Sequence, residues 1–225
     1  MKPSKYRAAL NAYSMLMDEA KHRLSAMDIA LGGKTGLPKG TGLPTGAVHD
    51  FCFLQLRMLC ELIALGCLTA HGDLETGKLK RAYEADKIIR RLQRLHPYFY
   101  PHAAKQTKAG PDKYDAILLE DGFLTKEELV KLYWKGGKVL HRGSFHALSP
   151  RTYADTDFEE IRIWKKKIES LLRYHAIFMS DKKTMVLFVL RNKENNDQVQ
   201  WVTLEMEDTM SILGDGPGGE KEPRP

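Results

Sequence analysis

Residues 47–70 read AVHDFCFLQLRMLCELIALGCLTA, and the fold turns on what kind of helix this is. The run is long enough to span a bilayer, but Arg57 and Glu61 stand near its centre. Charge at that depth in a membrane span is costly, so the pattern reads as a core helix. Spaced four apart, Arg57 and Glu61 share one face and can pair. The rest is apolar on nearly every side, which marks the most enclosed helix of a soluble core. The expected helix runs from about Thr45 to Ala70, and the His71-Gly72-Asp73 triplet closes it.

Other helices are expected around it. Tyr6, Leu10, Tyr13, Met17, Ala20, Leu24, Met27 and Leu31 recur by threes and fours, one apolar stripe on a first helix. A Gly/Pro-rich loop over 32–46 joins it to the second. Its Gly33-Lys34-Thr35 is not a phosphate loop, because Asp28 stands where a Walker motif needs glycine. A third helix is expected from about Glu75 to Leu95, followed by a long Pro-containing loop over 96–115 pinned by Tyr98, Phe99 and Tyr100. Thr125 and Glu128 form a capping box for a fourth helix ending near Leu140. A fifth opens near Thr156 and turns Phe158, Ile161, Trp164, Ile168, Leu171 and Leu172 inward. The period then changes to that of strands in TMVLFVLR and VQWVTLEM, a hairpin, with HAIFMS as a candidate third strand. The expected fold is mainly α: a four- or five-helix bundle over 1–175, a small antiparallel β-hairpin or meander packed on it over 176–208, and a disordered tail over 209–225.

The chain has 225 residues, 43% hydrophobic, with a formal net charge of +6. A basic balance favours an anionic partner such as nucleic acid. Cys52, Cys60 and Cys67 form no CxxC pair, and no His/Cys spacing matches a zinc site, so neither metal nor cofactor is expected. Reduced buried thiols, together with an N-terminus lacking the apolar core of a signal peptide, predict a cytoplasmic protein with no membrane segment.

Three constellations could carry chemistry. Arg57 and Glu61 are either a salt bridge pinning a neighbouring helix or an anion-binding arginine oriented by its carboxylate. In LYWKGGKVLHRGSFHAL, 132–148, the four-residue step puts Tyr133, Gly137 and His141 on one face. Gly136 and Gly137 cost a helix up to ~1 kcal/mol each against alanine, which a close helix contact would offset. That contact is expected to set Tyr133 and His141 beside the Arg57 helix. Alternatively His141 and Arg142 simply complement the helix dipole. In RRLQRLH, 90–96, Arg91 and His96 are spaced for joint work, while Lys87, Arg90 and Arg94 make a basic face for nucleic acid. His96 precedes Pro97 and is expected to leave the helix.

Taken together, the four-helix organisation, the Arg-x-x-x-Glu step in LRMLCELIALG and the Tyr, small pair, His order in LYWKGGKVLHRGS resemble the HEPN superfamily of α-helical domains, over roughly residues 5–150. The superfamily's Arg-x4-6-His signature marks metal-independent ribonucleases of toxin–antitoxin and defence systems, often dimeric. Arg91 with His96 matches that spacing, and Arg142 with His146 is one residue short. The resemblance implies a bacterial stress or defence protein with RNA as partner, and it is compatible with a homodimer or a protein partner. For an enzyme it implies a histidine, His141 or His96, as base towards a ribose 2′-hydroxyl, and an arginine, Arg142, Arg57 or Arg91, at the phosphate. Glu61 and Tyr133 would complete the site. Other members serve only as binding domains. A non-catalytic scaffold, or a small-molecule or nucleotide sensor using a cleft between helices 2 and 4, are the other readings.

Overall fold

The computed structural model describes residues 6–32, 42–74, 84–108, 114–141, 155–191 and 197–205. Among them are the helices α1 (Arg7–Leu31), α2 (Thr45–Ala70), α3 (Ala85–Leu95), α4 (Lys126–Leu140) and α5 (Asp155–Arg173). The strands are β1 (His102–Lys108), β2 (Tyr114–Leu118), β3 (Tyr174–Phe178), β4 (Thr184–Val189) and β5 (Gln200–Glu205).

The stripe of α1 is buried from Tyr6 to Leu31. The helix stops where Gly32 turns left-handed (φ 62°) and returns its N–H to the carbonyls of Asp28 and Ile29, a conformation glycine adopts without Cβ strain. The stripe lies along α2, where Gly66 leaves room for Tyr13. A Cβ there would stand 2.8 Å from Tyr13 Cε2.

Each of the other helices among the described residues packs on α2. By length and composition α2 could cross a membrane. Instead Val48, Cys52, Phe53, Leu56, Leu59, Cys60, Ile63 and Cys67 are enclosed by the surrounding helices. Burial pushes the Cys52 thiol up to about 12, against the opposing charge of Arg162, and pushes Cys60 and Cys67 up as well. All three are free and behave as small hydrophobes.

The sheet differs from expectation. It has five antiparallel strands in the order β2-β1-β3-β4-β5. The expected hairpin is present as β4 and β5, pairing from Thr184–Glu205 to Val189–Gln200, and β3 continues straight out of α5. The correction lies in 96–115, expected as a loop, which holds β1 and the first two residues of β2. β1 carries a single β-branched residue, Thr107, so it takes its strand form from its neighbours rather than from propensity. It pairs with β2 from Ala104–Leu118 to Lys108–Tyr114, and with β3 through His102–Ala176 and Ala103–His175. The sheet therefore joins the middle of the chain to its C-terminal part and is no appended hairpin. Two of the three aromatics expected to pin this segment are buried, Phe99 and Tyr100, and Tyr100 donates its hydroxyl to the Leu124 carbonyl at 3.0 Å.

The expected start of the third helix, 75–83, lies outside the described residues, as do most of the Gly/Pro loop, Arg142, His146 and the tail over 209–225.

Buried polar contacts fasten the sheet to the helices. Tyr13 donates to His175 Nε2 at 2.8 Å, and His175 Nδ1–H donates to the Leu172 carbonyl at 3.0 Å. Burial lowers His175 to about 4, so its ring is neutral; it stacks on Phe188 at 5.3 Å.

Candidate nucleic-acid interface

α4 meets a different neighbour on each side. Its Thr125–Glu128 capping box forms in both directions, at 3.2 Å each way, and fixes where the helix starts. Leu129, Leu132 and Gly136 turn towards the core. On one flank Lys135 pairs with Glu160 of α5, and Lys167 of α5 pairs with Glu128. On the other flank Lys126 donates to Gln93 of α3 at 2.7 Å.

The crossing of α2 and α4 holds the first constellation. Arg57 Nε lies 3.4 Å from Glu61 Oε1. Its Nη2 donates to the Tyr133 hydroxyl at 2.8 Å, and its Cζ sits 4.2 Å from the centre of the same ring. The glycine pair makes room for this. A Cβ on Gly136 would stand 3.1 Å from Arg57 Cβ, and one on Gly137 would stand 2.8 Å from Arg57 Nη1. Burial raises Glu61, with Arg57 and Arg23 opposing, and burial likewise raises Tyr133 against the pull of Arg57. The guanidinium is thus engaged on both of its edges by the protein itself. Its place here is that of a bolt between two helices.

The second constellation divides. Tyr133 and Gly137 are buried, but His141 is exposed. Each four-residue step overshoots a 3.6-residue turn by about 40°, so by His141 the row has rotated out to solvent. His141 caps α4, its N–H reaching the Gly137 carbonyl at 3.0 Å.

The third is taken apart. Arg91 is exposed on α3 while His96, past the helix end, is buried. His96 Nε2–H donates to the Phe178 carbonyl at 2.9 Å. That same oxygen lies 3.0 Å from Nε2 of His71, whose ring sits 5.1 Å from that of His96. Burial lowers the pKa of His96 despite the carbonyl contact. The pair cannot work on one substrate: its arginine faces water and its histidine is sealed under β3. His71 was not singled out in the sequence, where nothing about a lone histidine after a helix predicts enclosure.

The exposed faces of α3 and α4 carry mostly basic side chains. On α3, Lys87, Arg90, Arg91 and Arg94 are all exposed. Lys87 is held by Glu84 at 2.6 Å, and Arg90, Arg91 and Arg94 make no ion pair among the described residues. On α4 the outward row is Glu127, Lys131, Trp134, Lys138 and His141, stepping by fours and threes. Trp134 is 52% exposed. This row escaped the sequence reading, which followed Tyr133 and its glycines; the Lys-x-x-Trp-x-x-x-Lys spacing on one helix face was its signal. Among the described residues, no group of His, Cys, Asp or Glu could hold a metal ion.

Comparison with protein-family models, with curated proteins and with solved structures returns no match for this chain.

Proposed function

We propose that this chain is a cytoplasmic RNA-binding protein with a HEPN-like helical body, acting through the solvent face of α3. The observation that carries the reading is the row Arg90, Arg91 and Arg94, exposed and without ion pairs among the described residues. Arginines left unpaired on one rigid helix face are free to meet phosphates with bidentate hydrogen bonds. The net charge of +6 has the sign such binding needs. The buried, free thiols fit a reducing compartment. Binding is favoured over Arg91–His96 cleavage because that histidine is enclosed.

The test is retention of cellular RNA by the purified chain at low salt. Wild type should bind, and binding should fall steeply between about 50 and 200 mM salt. The triple variant Arg90→Glu, Arg91→Glu, Arg94→Glu should lose retention. No retention by wild type, or an unaffected triple variant, overturns the reading.

One observation favours a second reading, metal-independent cleavage: His141 faces solvent in line with Lys131 and Lys138. An exposed imidazole there can reach a bound ribose 2′-hydroxyl. Cleavage should then persist in EDTA, leave 2′,3′-cyclic phosphate ends, and vanish in His141→Ala but not in His96→Ala variants that remain folded.

A further inference from the structure

We infer that Trp134 is a stacking platform for an unpaired base of RNA, with Lys131 and Lys138 on the flanking phosphates. The inference rests on the RNA-binding reading and deepens it from a basic face to single-stranded recognition on α4.

Four observations carry it. Trp134 is 52% exposed, whereas the buried positions of α4 are Leu129, Leu132, Tyr133, Gly136 and Gly137. Its indole is not filling the core. It meets Tyr133 edge-on, ring centres 6.0 Å apart. Its own helix is fixed on three sides, by Arg57–Tyr133 against α2, Lys126–Gln93 against α3, and Lys135–Glu160 with Lys167–Glu128 against α5. The indole is therefore presented on a rigid support, so stacking on it costs little ordering entropy. Finally, Lys131 and Lys138 stand on the same face, one on each side of the ring along the helix. At a rise of 1.5 Å per residue they are about 10 Å apart along the axis, and their long, mobile stems can reach the phosphates either side of one stacked nucleotide.

An aromatic face set between cations is the arrangement that single-stranded nucleic acid binders use, because every base offers a π-face and every linkage a charge. A duplex keeps its bases stacked on one another and cannot offer one to the indole. A membrane surface would need a broad apolar face with basic flanks, and α4 turns outward one aromatic among Glu127, Lys131, Lys138 and His141. The arginine row lies on α3, which packs beside α4.

The experiment measures affinity for a labelled uridine-rich single strand, for the same strand in duplex, and for anionic phosphatidylserine vesicles, using the full chain. Trp134→Ala should weaken the single strand roughly tenfold, the size of one lost base stack. Trp134→Phe should keep most of the affinity, and neither variant should alter duplex binding or the thermal melt. Lys131→Gln with Lys138→Gln should reduce the salt dependence of single-strand binding by about 1.4, two contacts at ~0.7 each. If wild type binds the single strand and Trp134→Ala binds it equally well, the stacking inference falls while the RNA-binding reading stands. If wild type binds no RNA, both fall. Binding to vesicles without RNA, with the loss confined to Trp134→Ala, overturns both in favour of a membrane surface.

Discussion

Arg57 reaches across from α2 to Tyr133 on α4 and holds it twice, by a 2.8 Å hydrogen bond to the hydroxyl and by a guanidinium set 4.2 Å from the ring centre. The contact fixes the depth at which α4 lies on the core helix. It exists because Gly136 and Gly137 present no side chain where the arginine passes.

The two glycines should differ on substitution. Gly136→Ala drives a methyl to 3.1 Å from Arg57 Cβ and 3.5 Å from the Phe53 carbonyl, neither of which can swing away. Overpacking of ~1–3 kcal/mol is offset by up to ~1 kcal/mol of helix propensity, leaving a net loss of about 1 kcal/mol. Gly137→Ala meets only the tip of Arg57, 2.8 Å away. That tip can yield only by loosening its contact with Tyr133, a loss that the gain of up to ~1 kcal/mol in helix propensity offsets, so the net change should stay within ~0.5 kcal/mol. Urea midpoints of the two variants check this; equal losses would show that the crossing is not set by Gly136.

Gly66 makes a stricter case. A methyl there would meet Tyr13 Cε2 at 2.8 Å and Met17 Cε at 3.3 Å. The ring cannot retreat, because its hydroxyl is bonded to His175 and its face lies against Phe188 at 4.5 Å. Gly66→Ala should cost more than Gly136→Ala, about 2 kcal/mol after the gain in propensity. A midpoint equal to wild type would mean that Tyr13 is free to move.

Glu61→Ala should cost about 1–2 kcal/mol, between an exposed pair at ~0–1 and a sealed one at ~3–5. The side chains of Arg57 and Glu61 keep 27% and 21% of their surface in water, so neither limit applies. Tyr133→Phe keeps the ring and removes the hydroxyl, and should lose about 1 kcal/mol. Thermal or urea unfolding of both variants measures these losses; no change in either would remove the latch from the stability of the crossing.

Stability should fall in mild acid. His175 titrates at about 4 in the fold, and burial moves His96 and His102 in the same direction from the ordinary value of 6.5. Between those limits the unfolded chain binds more protons than the folded one, so stability is held above about pH 6.5 and drains away as pH drops to about 4. His175 alone accounts for about 3 kcal/mol of that loss. Urea titrations at pH 7 and pH 4.5 should show the difference, and His175→Gln should flatten part of the slope. A flat profile for wild type would mean that the His175 site admits water.

Most of the helices are legible in local pattern alone. The stripe of α1, the apolar girth of α2 and the capping box at Thr125 are local patterns, written in neighbouring residues and satisfied within one helix. The glycine pair likewise pointed to Tyr133 and His141 beside the Arg57 helix, since two glycines inside a helix need a close neighbour to justify them; Tyr133 is there, and His141 has turned out to solvent. The tertiary structure decided the rest. β1 is a strand because β2 and β3 lie beside it, and pairing between distant segments leaves little trace in a stretch like HAAKQTK. Arg91 and His96 stand five apart in the sequence and match a catalytic spacing, yet the Phe178 carbonyl, from a strand far along the chain, takes the histidine into the interior. Burial belongs to the assembled neighbours of a residue, and so does the exposure that leaves Trp134 facing water.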